Sequence, residues 1–292
     1  MGKSGAALHL AKKLNSEIIS CDSMQLYKNM DIITSKPKRS EFKKVPHHLI
    51  GVISPEKEYN VTKYRVAALK ESNKIIEKNK VPLFVGGTGL YMSVLIDGIF
   101  NENAHDQKVI DALYKKSEKS GSAYLHKKLK EVDPVAAGKI HPNDLRRIIR
   151  ALEVFKVTGK PISQLQKQRK GLPDNYNVKI FCLNMDRNKL YKRIDERVER
   201  MFKDGLIKEA KKLLSSKLSK TASVAIGLKE LRGYLEGSYD LQEAKDMMKR
   251  NTRQYAKRQL TWFRKDKRVK WVNIKDNETS AEVANRIWKK LS

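Results

Sequence analysis

Residues 61–95 constrain the fold more than any other stretch. Apolar residues recur at helical spacing through residues 61–79. A short apolar run, Val81-Pro82-Leu83-Phe84-Val85, follows, and then at once Gly86-Gly87-Thr88-Gly89-Leu90-Tyr91. Helix, strand, glycine loop and helix in that order predict a parallel α/β sheet, because parallel strands need crossover helices between them.

The flanking chain fits that frame. Residues 6–14 carry Ala7, Leu8, Leu10, Ala11 and Leu14 at helical spacing, and residues 17–21 form a β-prone run ending in Asp22-Ser23. A polar pair at the C-terminal end of a buried strand stands where ligands bind in open α/β sheets. Residues 107–170 read as helical and polar, broken at Gly121 and Pro134. Strand character returns at residues 178–183 and again at residues 269–274, with helices between and after. The expected organisation is an α/β core over residues 1–106, a helical insertion over 107–171, and a continuation of the core with basic helices over 172–292.

Charge narrows the partner. Lys and Arg total 62 against 33 Asp and Glu, a net charge of +29 on 292 residues. Lysine-rich codon usage would account for part of that excess, but the arginines also cluster. A field of this size attracts phosphate polymers or anionic surfaces. No run approaches the ~18 apolar residues of a membrane span. The N-terminus lacks an apolar signal core, and the two cysteines, Cys21 and Cys182, are too few for a Cys-rich zinc site. These features predict a cytoplasmic protein with free thiols and no membrane partner.

Several clusters are candidates for chemistry. Gly2-Lys3-Ser4, directly before a helix, matches the last three positions of G-x-x-x-x-G-K-[ST]. In that pattern backbone N–H groups wrap a phosphate, the lysine neutralises it and the hydroxyl ligates Mg²⁺. Three residues alone carry little weight; the following helix favours the match, and the missing first glycine and strand weigh against it. Asp22 could accept a proton or hold a metal-bound water, or simply cap a turn. Gly86-Gly87-Thr88-Gly89 could let the backbone approach a ligand, or form a plain tight turn. Arg146, Arg147 and Arg150 open one helix. Arg193, Arg197 and Arg200 make a stripe on another, suited to bidentate phosphate contact or to an ordinary solvated face. In residues 250–264 a face carrying Arg250, Arg253, Lys257 and Arg264 is separate from an apolar stripe of Met248, Tyr255 and Trp262. The stripe is expected to pack on the core while the other face meets a phosphate backbone.

Taken together, EIISCDSMQLYKNMDIITSKP, VPHHLIG, VPLFVGGTGLY, DPVAAGKIHPND with RRIIRALEV, LYKRIDERVERM, AIGLKEL and TRQYAKRQLTWFR resemble, in order and along the whole chain, the tRNA dimethylallyltransferase (tRNA isopentenyltransferase) family. The resemblance implies a P-loop nucleotide-kinase-like core with a helical insertion that grips the anticodon stem-loop. It implies transfer of dimethylallyl from dimethylallyl diphosphate to N6 of the adenosine on the 3′ side of the anticodon, with Mg²⁺ assisting and a monomer expected. Residue by residue it implies that Gly2, Lys3 and Ser4 hold diphosphate, Ser4 also holding the metal. Asp22 would bond the adenine amino group as general base, and Ser23, Met24 and Gln25 would line the base pocket. Thr88 would sit at the substrate, and Arg197 would face the diphosphate. Contacts to tRNA would come from Arg146, Arg147, Ile148, Ile149 and Arg150, from residues 225–230 including Ala225, Ile226, Gly227 and Lys229, and from residues 252–259 including Arg253, Gln254, Lys257 and Arg258. Two departures stand out. The family's phosphate loop is preceded by a strand and reads G-P-T-A-x-G-K-[ST], of which only Gly2-Lys3-Ser4 remain. An arginine expected in a D-x-x-[LV]-R setting is replaced by Ile110. Met1 therefore reads as an internal methionine of a longer product. The given chain is expected to bind tRNA, to transfer the prenyl group poorly or not at all, and to be less stable than an extended form. A tRNA-binding relative without catalysis and a P-loop small-molecule kinase are the rival readings.

Overall fold

The computed structural model describes residues 2–100, 104–173 and 176–291; Met1 lies outside them. In chain order the elements are α1 (Lys3–Lys13), β1 (Ser16–Cys21), α2 (Arg39–Phe42), β2 (His47–His48), α3 (Val61–Glu77), β3 (Val81–Gly86) and α4 (Gly89–Asp97). Four helices follow: α5 (Gln107–Val132), α6 (Pro134–Ala137), α7 (Leu145–Thr158) and α8 (Ile162–Lys167). Then come β4 (Ile180–Asn184), α9 (Arg187–Lys203), α10 (Leu206–Leu214), α11 (Leu228–Leu235), α12 (Leu241–Arg264), β5 (Val269–Asn273) and α13 (Ser280–Trp288). Two compact units emerge, residues 1–95 with 174–292, and residues 96–173. Residues 96–106, assigned to the core from sequence, thus group with the helices.

In the first unit β1 is central and buried along its whole length. It pairs in parallel with β2 and with β3, from Ser16 opposite Val81 to Cys21 opposite Gly86. The crossover is α3, capped by Asn60 and buried along Tyr64, Ala68 and Ile75. Tyr64 donates to Ser20 O at 3.1 Å and stacks on Tyr91 of α4 at 4.0 Å. The two strands end pressed together: a Cβ on Gly86 would fall 1.9 Å from Cys21 O, so only glycine fits there.

β4 and β5 form a separate parallel pair. Between β3 and β4 lies a cleft, with about 960 Å³ of space counting open solvent, lined by Leu83 and Val85 from one strand and Phe181, Cys182 and Leu183 from the other. Ala7 and Leu10 of α1 also line it. Among the described residues neither facing strand is paired across it.

The helical unit has its own core of Leu125, Leu129, Ile148, Leu152 and Leu165. Aspartates start its helices: Asp106 caps α5, Asp133 caps α6 and Asp144 caps α7. Gly121, at φ +79°, breaks α5 where the sequence predicted, and Pro134 opens α6. Ile148 and Ile149, expected from the resemblance at an RNA surface, are 0% and 3% exposed. Helical periodicity turns them inward while Arg146, Arg147 and Arg150 stay out. Ile110 packs against this core, which accounts for an apolar residue there.

The first unit offers two tests. Glu17 on β1 is 2% exposed, with Lys80 Nζ at 2.9 Å and His48 Nε2 at 2.7 Å. Burial alone would raise its pKa, but these partners hold it at about 2, against an ordinary 4.5. The folded pKa is depressed, so the stabilisation, about 3 kcal/mol, is complete above about pH 4.5 and disappears as pH falls through about 2. Unfolding free energy measured across that window should fall steeply for the parent and less for Glu17→Gln. Second, a six-residue β-prone apolar segment joined ahead of Met1 should enter the β3–β4 cleft. Thermal unfolding should rise by roughly 2–4 °C per kcal/mol gained, and Cys182 alkylation should slow. Unchanged alkylation would show that the cleft does not accept a strand.

Candidate active site

A second cleft, with about 1390 Å³ of open space, lies at the C-terminal end of β1, wholly within the first unit. Lys3 comes from the first turn of α1, and Asp22, Ser23 and Met24 come from the turn after β1. Ile33 and Thr34 belong to the next loop. Arg193 and Arg197 project from α9, and Ala225 and Ile226 from the turn before α11. α12 supplies Thr252, Tyr255, Arg258 and Gln259.

Hydrogen bonds fix these groups. Asp22 Oδ1 accepts the N–H of Met24 at 2.9 Å and of Gln25 at 3.3 Å. It is thus the turn cap that the sequence allowed, and it also faces the cleft. Thr88 Oγ1 accepts the Ser23 N–H at 3.1 Å, and the Thr88 N–H donates to Cys21 O at 3.2 Å, so the glycine loop is tied to the Asp22 turn. Gln25 does not line the cleft; its Nε2 donates to Thr34 O and Ser35 O at 3.3 and 3.4 Å and anchors the neighbouring loop. Lys3 Nζ donates to Gly86 O at 3.2 Å, and Gln259 Nε2 to Gly87 O at 2.8 Å.

The electrostatics favour an anion. Burial lowers the pKa of half-buried Lys3; the Asp22 carboxylate raises it and Arg197 lowers it again. Arg197 keeps much of its side chain exposed to the cleft, yet desolvation by the surrounding protein still lowers its pKa, opposed by Asp22 and reinforced by Arg200. Two cations share one carboxylate, an arrangement that an incoming phosphate would relieve. Burial raises the pKa of Tyr255, as does the charge of Asp22, while hydrogen bonds with Gln259 and Thr88 work against both. Burial pushes the Cys21 thiol up to about 12, which keeps it out of nucleophilic chemistry.

The other expected residues divide. Gly2 and Ser4 are exposed and line neither cleft, whereas Lys3 lines both. Gly227 is buried at φ +104°, and its N–H donates to Glu230 at 2.8 Å, which shapes the turn presenting Ala225 and Ile226. Lys229, Gln254 and Lys257 are exposed. Arg253 corrects the expected basic face of α12. Its Nη1 holds Asp195 of α9 at 2.9 and 3.1 Å and its guanidinium lies over the Tyr191 ring, so it joins two helices rather than facing outward. The apolar stripe is corrected too. Ala244, Met248, Thr252 and Ala256, four apart, are the buried line, while Trp262 is 44% exposed. The sequence placed Tyr255 in an apolar stripe and, by resemblance, within the tRNA-contacting span 252–259, and did not single out Ile33 or Thr34.

Comparison with known proteins identifies the family. Residues 25–266 match the IPP transferase family. The chain is 45% identical to a tRNA dimethylallyltransferase of Natranaerobius thermophilus, over 98% of this chain and 87% of that protein. It is 43% identical to one of Alkaliphilus oremlandii, over 99% and 93%. The crystal structure of a full-length tRNA isopentenylpyrophosphate transferase from Bacillus halodurans superposes with a TM-score of 0.71 at 40% identity, covering 99% of this chain and 93% of that one. A eukaryotic dimethylallyltransferase acting on tRNA superposes with a TM-score of 0.78 at 30% identity, covering 94% and 71%.

Proposed function

Because this chain belongs to the IPP transferase family it is a tRNA prenyltransferase, and we propose that it moves a dimethylallyl group from dimethylallyl diphosphate to N6 of the adenosine on the 3′ side of the anticodon. The observation that supports this most is one cleft shared by a carboxylate, Asp22, and two cations, Lys3 and Arg197. N6 attacks C1 of the allyl group, the C1–O bond breaks, and diphosphate leaves with the electron pair. The proton released from N6 passes to the Asp22 carboxylate. Its Oδ1 is held by two backbone N–H groups, which orients Oδ2 as the base. Lys3 and Arg197 stabilise the charge that grows on the leaving diphosphate. An exocyclic amine is a weak nucleophile, so much of the acceleration must come from alignment. The adenosine must also leave its stack to reach the cleft.

Mg²⁺ is the metal the family resemblance implies, and Ser4, in the first turn of α1 beside Lys3, is the residue that would hold it; no step is routed through a metal. Among the described residues no helix is long and apolar enough to cross a membrane. We take the working species to be a cytoplasmic monomer that binds the anticodon stem-loop.

Purified protein extended upstream to restore the phosphate loop, incubated with dimethylallyl diphosphate and tRNA, should yield prenyl-adenosine by nucleoside mass spectrometry; no product with any tRNA carrying adenosine at that position would refute the assignment. Asp22→Ala should lower turnover ~10²–10⁴-fold with tRNA affinity changed far less. Asp22→Asn keeps the turn cap but not the base and should be equally slow. An active Asp22→Asn enzyme would reduce the residue to a cap. tRNA affinity should fall steeply with salt, and replacing Lys257 and Arg258 by Ala should reduce the log–log slope by roughly 0.7–0.9 for each phosphate left without its cation. An unchanged slope would place the RNA surface elsewhere.

A further inference from the structure

The loop of residues 31–35 borders the cleft through Ile33 and Thr34, yet it belongs to no helix or strand. Its backbone N–H groups therefore need partners from elsewhere. Glu209 of α10 supplies them. Its Oε2 accepts from Asp31 at 3.0 Å and Ile32 at 2.9 Å, and its Oε1 accepts from Ile33 at 2.9 Å. Gln25 holds the next two residues through Thr34 O and Ser35 O. The loop is thus gripped at consecutive positions by a carboxylate, through its N–H groups, and by an amide, through its carbonyls. α10 is itself rigidly seated, with Leu206, Ala210 and Leu213 buried in the same core cluster as Ile33.

We propose that Glu209 is a positioning residue that sets the acceptor-nucleotide wall of the cleft. The proposal rests on the reading that the acceptor adenosine meets Asp22 there. A plain capping role would stabilise the loop without affecting which base is accepted. A positioning role couples the two, because Ile33 and Thr34 contribute to the cleft surface that a flipped base would meet. A carboxylate suits the task because charge-assisted bonds to backbone N–H groups are the stronger kind. Glutamine cannot replace it, since an amide sets an NH₂ donor against at least one of the three N–H groups.

The test compares parent, Glu209→Gln and Glu209→Asp by amide hydrogen exchange at Asp31, Ile32 and Ile33. It also measures direct binding of two anticodon stem-loop RNAs, with adenosine or guanosine at the acceptor position. Glu209→Gln should speed exchange at those amides and weaken binding of the adenosine RNA roughly tenfold, about one charge-assisted hydrogen bond. Binding of the guanosine RNA should change little, so discrimination narrows. The KM for dimethylallyl diphosphate should stay within about twofold, because Lys3 and Arg197 are untouched. Glu209→Asp keeps the charge on a shorter arm and should fall between parent and glutamine. Equal weakening toward both RNAs, or faster exchange with unchanged discrimination, would overturn the proposal. Should Glu209→Gln prove unfolded by thermal melting, the aspartate variant decides by the same criteria. A parent that binds both RNAs alike would overturn the reading of the cleft, and the proposal with it, whereas a discriminating parent with an equally discriminating Glu209→Gln overturns the proposal alone.

Discussion

The site depends on one close approach. β1 and β3 run in parallel to a common end, and Gly86 lies so near Cys21 that no side chain fits between them. That contact lets the Thr88 N–H reach Cys21 O and lets Thr88 Oγ1 receive the Ser23 N–H. The turn carrying Asp22 and the loop carrying Thr88 are thereby locked as one piece. A larger residue at position 86 would wedge the strand ends apart, and the carboxylate would lose its fixed place relative to the cations. Fixed placement matters because proximity accelerates a reaction only when the reacting groups are held in line.

Charge is concentrated where the fold makes it costly. Lys3 and Arg197 both lose part of their hydration, and their pKa values fall although Asp22 stands nearby. Such a site is strained toward binding an anion, which would restore the lost favourable interaction. Elsewhere the positive charge is often already paired. Arg253 holds Asp195, Lys249 holds Glu199 at 2.6 Å, and Lys80 holds Glu17 at 2.9 Å. The net charge of +29 thus overstates how many cations stand ready for an RNA backbone. Lys257, Arg258, Arg146 and Arg147 remain at the surface.

α12 serves several purposes along one length. Met248, Thr252 and Ala256 face inward, Tyr255 and Gln259 reach the cleft and the glycine loop, and Lys257 and Gln254 face water. Neighbouring positions on a helix point about 100° apart, so a short segment can touch core, substrate and solvent in turn. Its basic and aromatic residues therefore cannot be assigned one role as a block.

The sequence by itself determined the parallel α/β class, the helical insertion and the approximate bounds of β1, α3 and β3. These follow from local periodicity and from punctuation such as Val81–Gly86, Gly121 and Pro134. Resemblance to a family brought Asp22, Thr88 and Arg197 forward, and the structure places Asp22 and Arg197 on one cleft with Thr88 bound behind Ser23. Only the tertiary structure decided that Ile148 and Ile149 are core and that Arg253 is an inter-helix tie. Only there do Glu209 and Asp31 meet, 178 residues apart in sequence. Local pattern fixes which way a side chain leaves its own backbone. Which partner it meets is set by packing between distant segments, and the charge on a residue does not reveal whether that partner is a protein carboxylate or a phosphate.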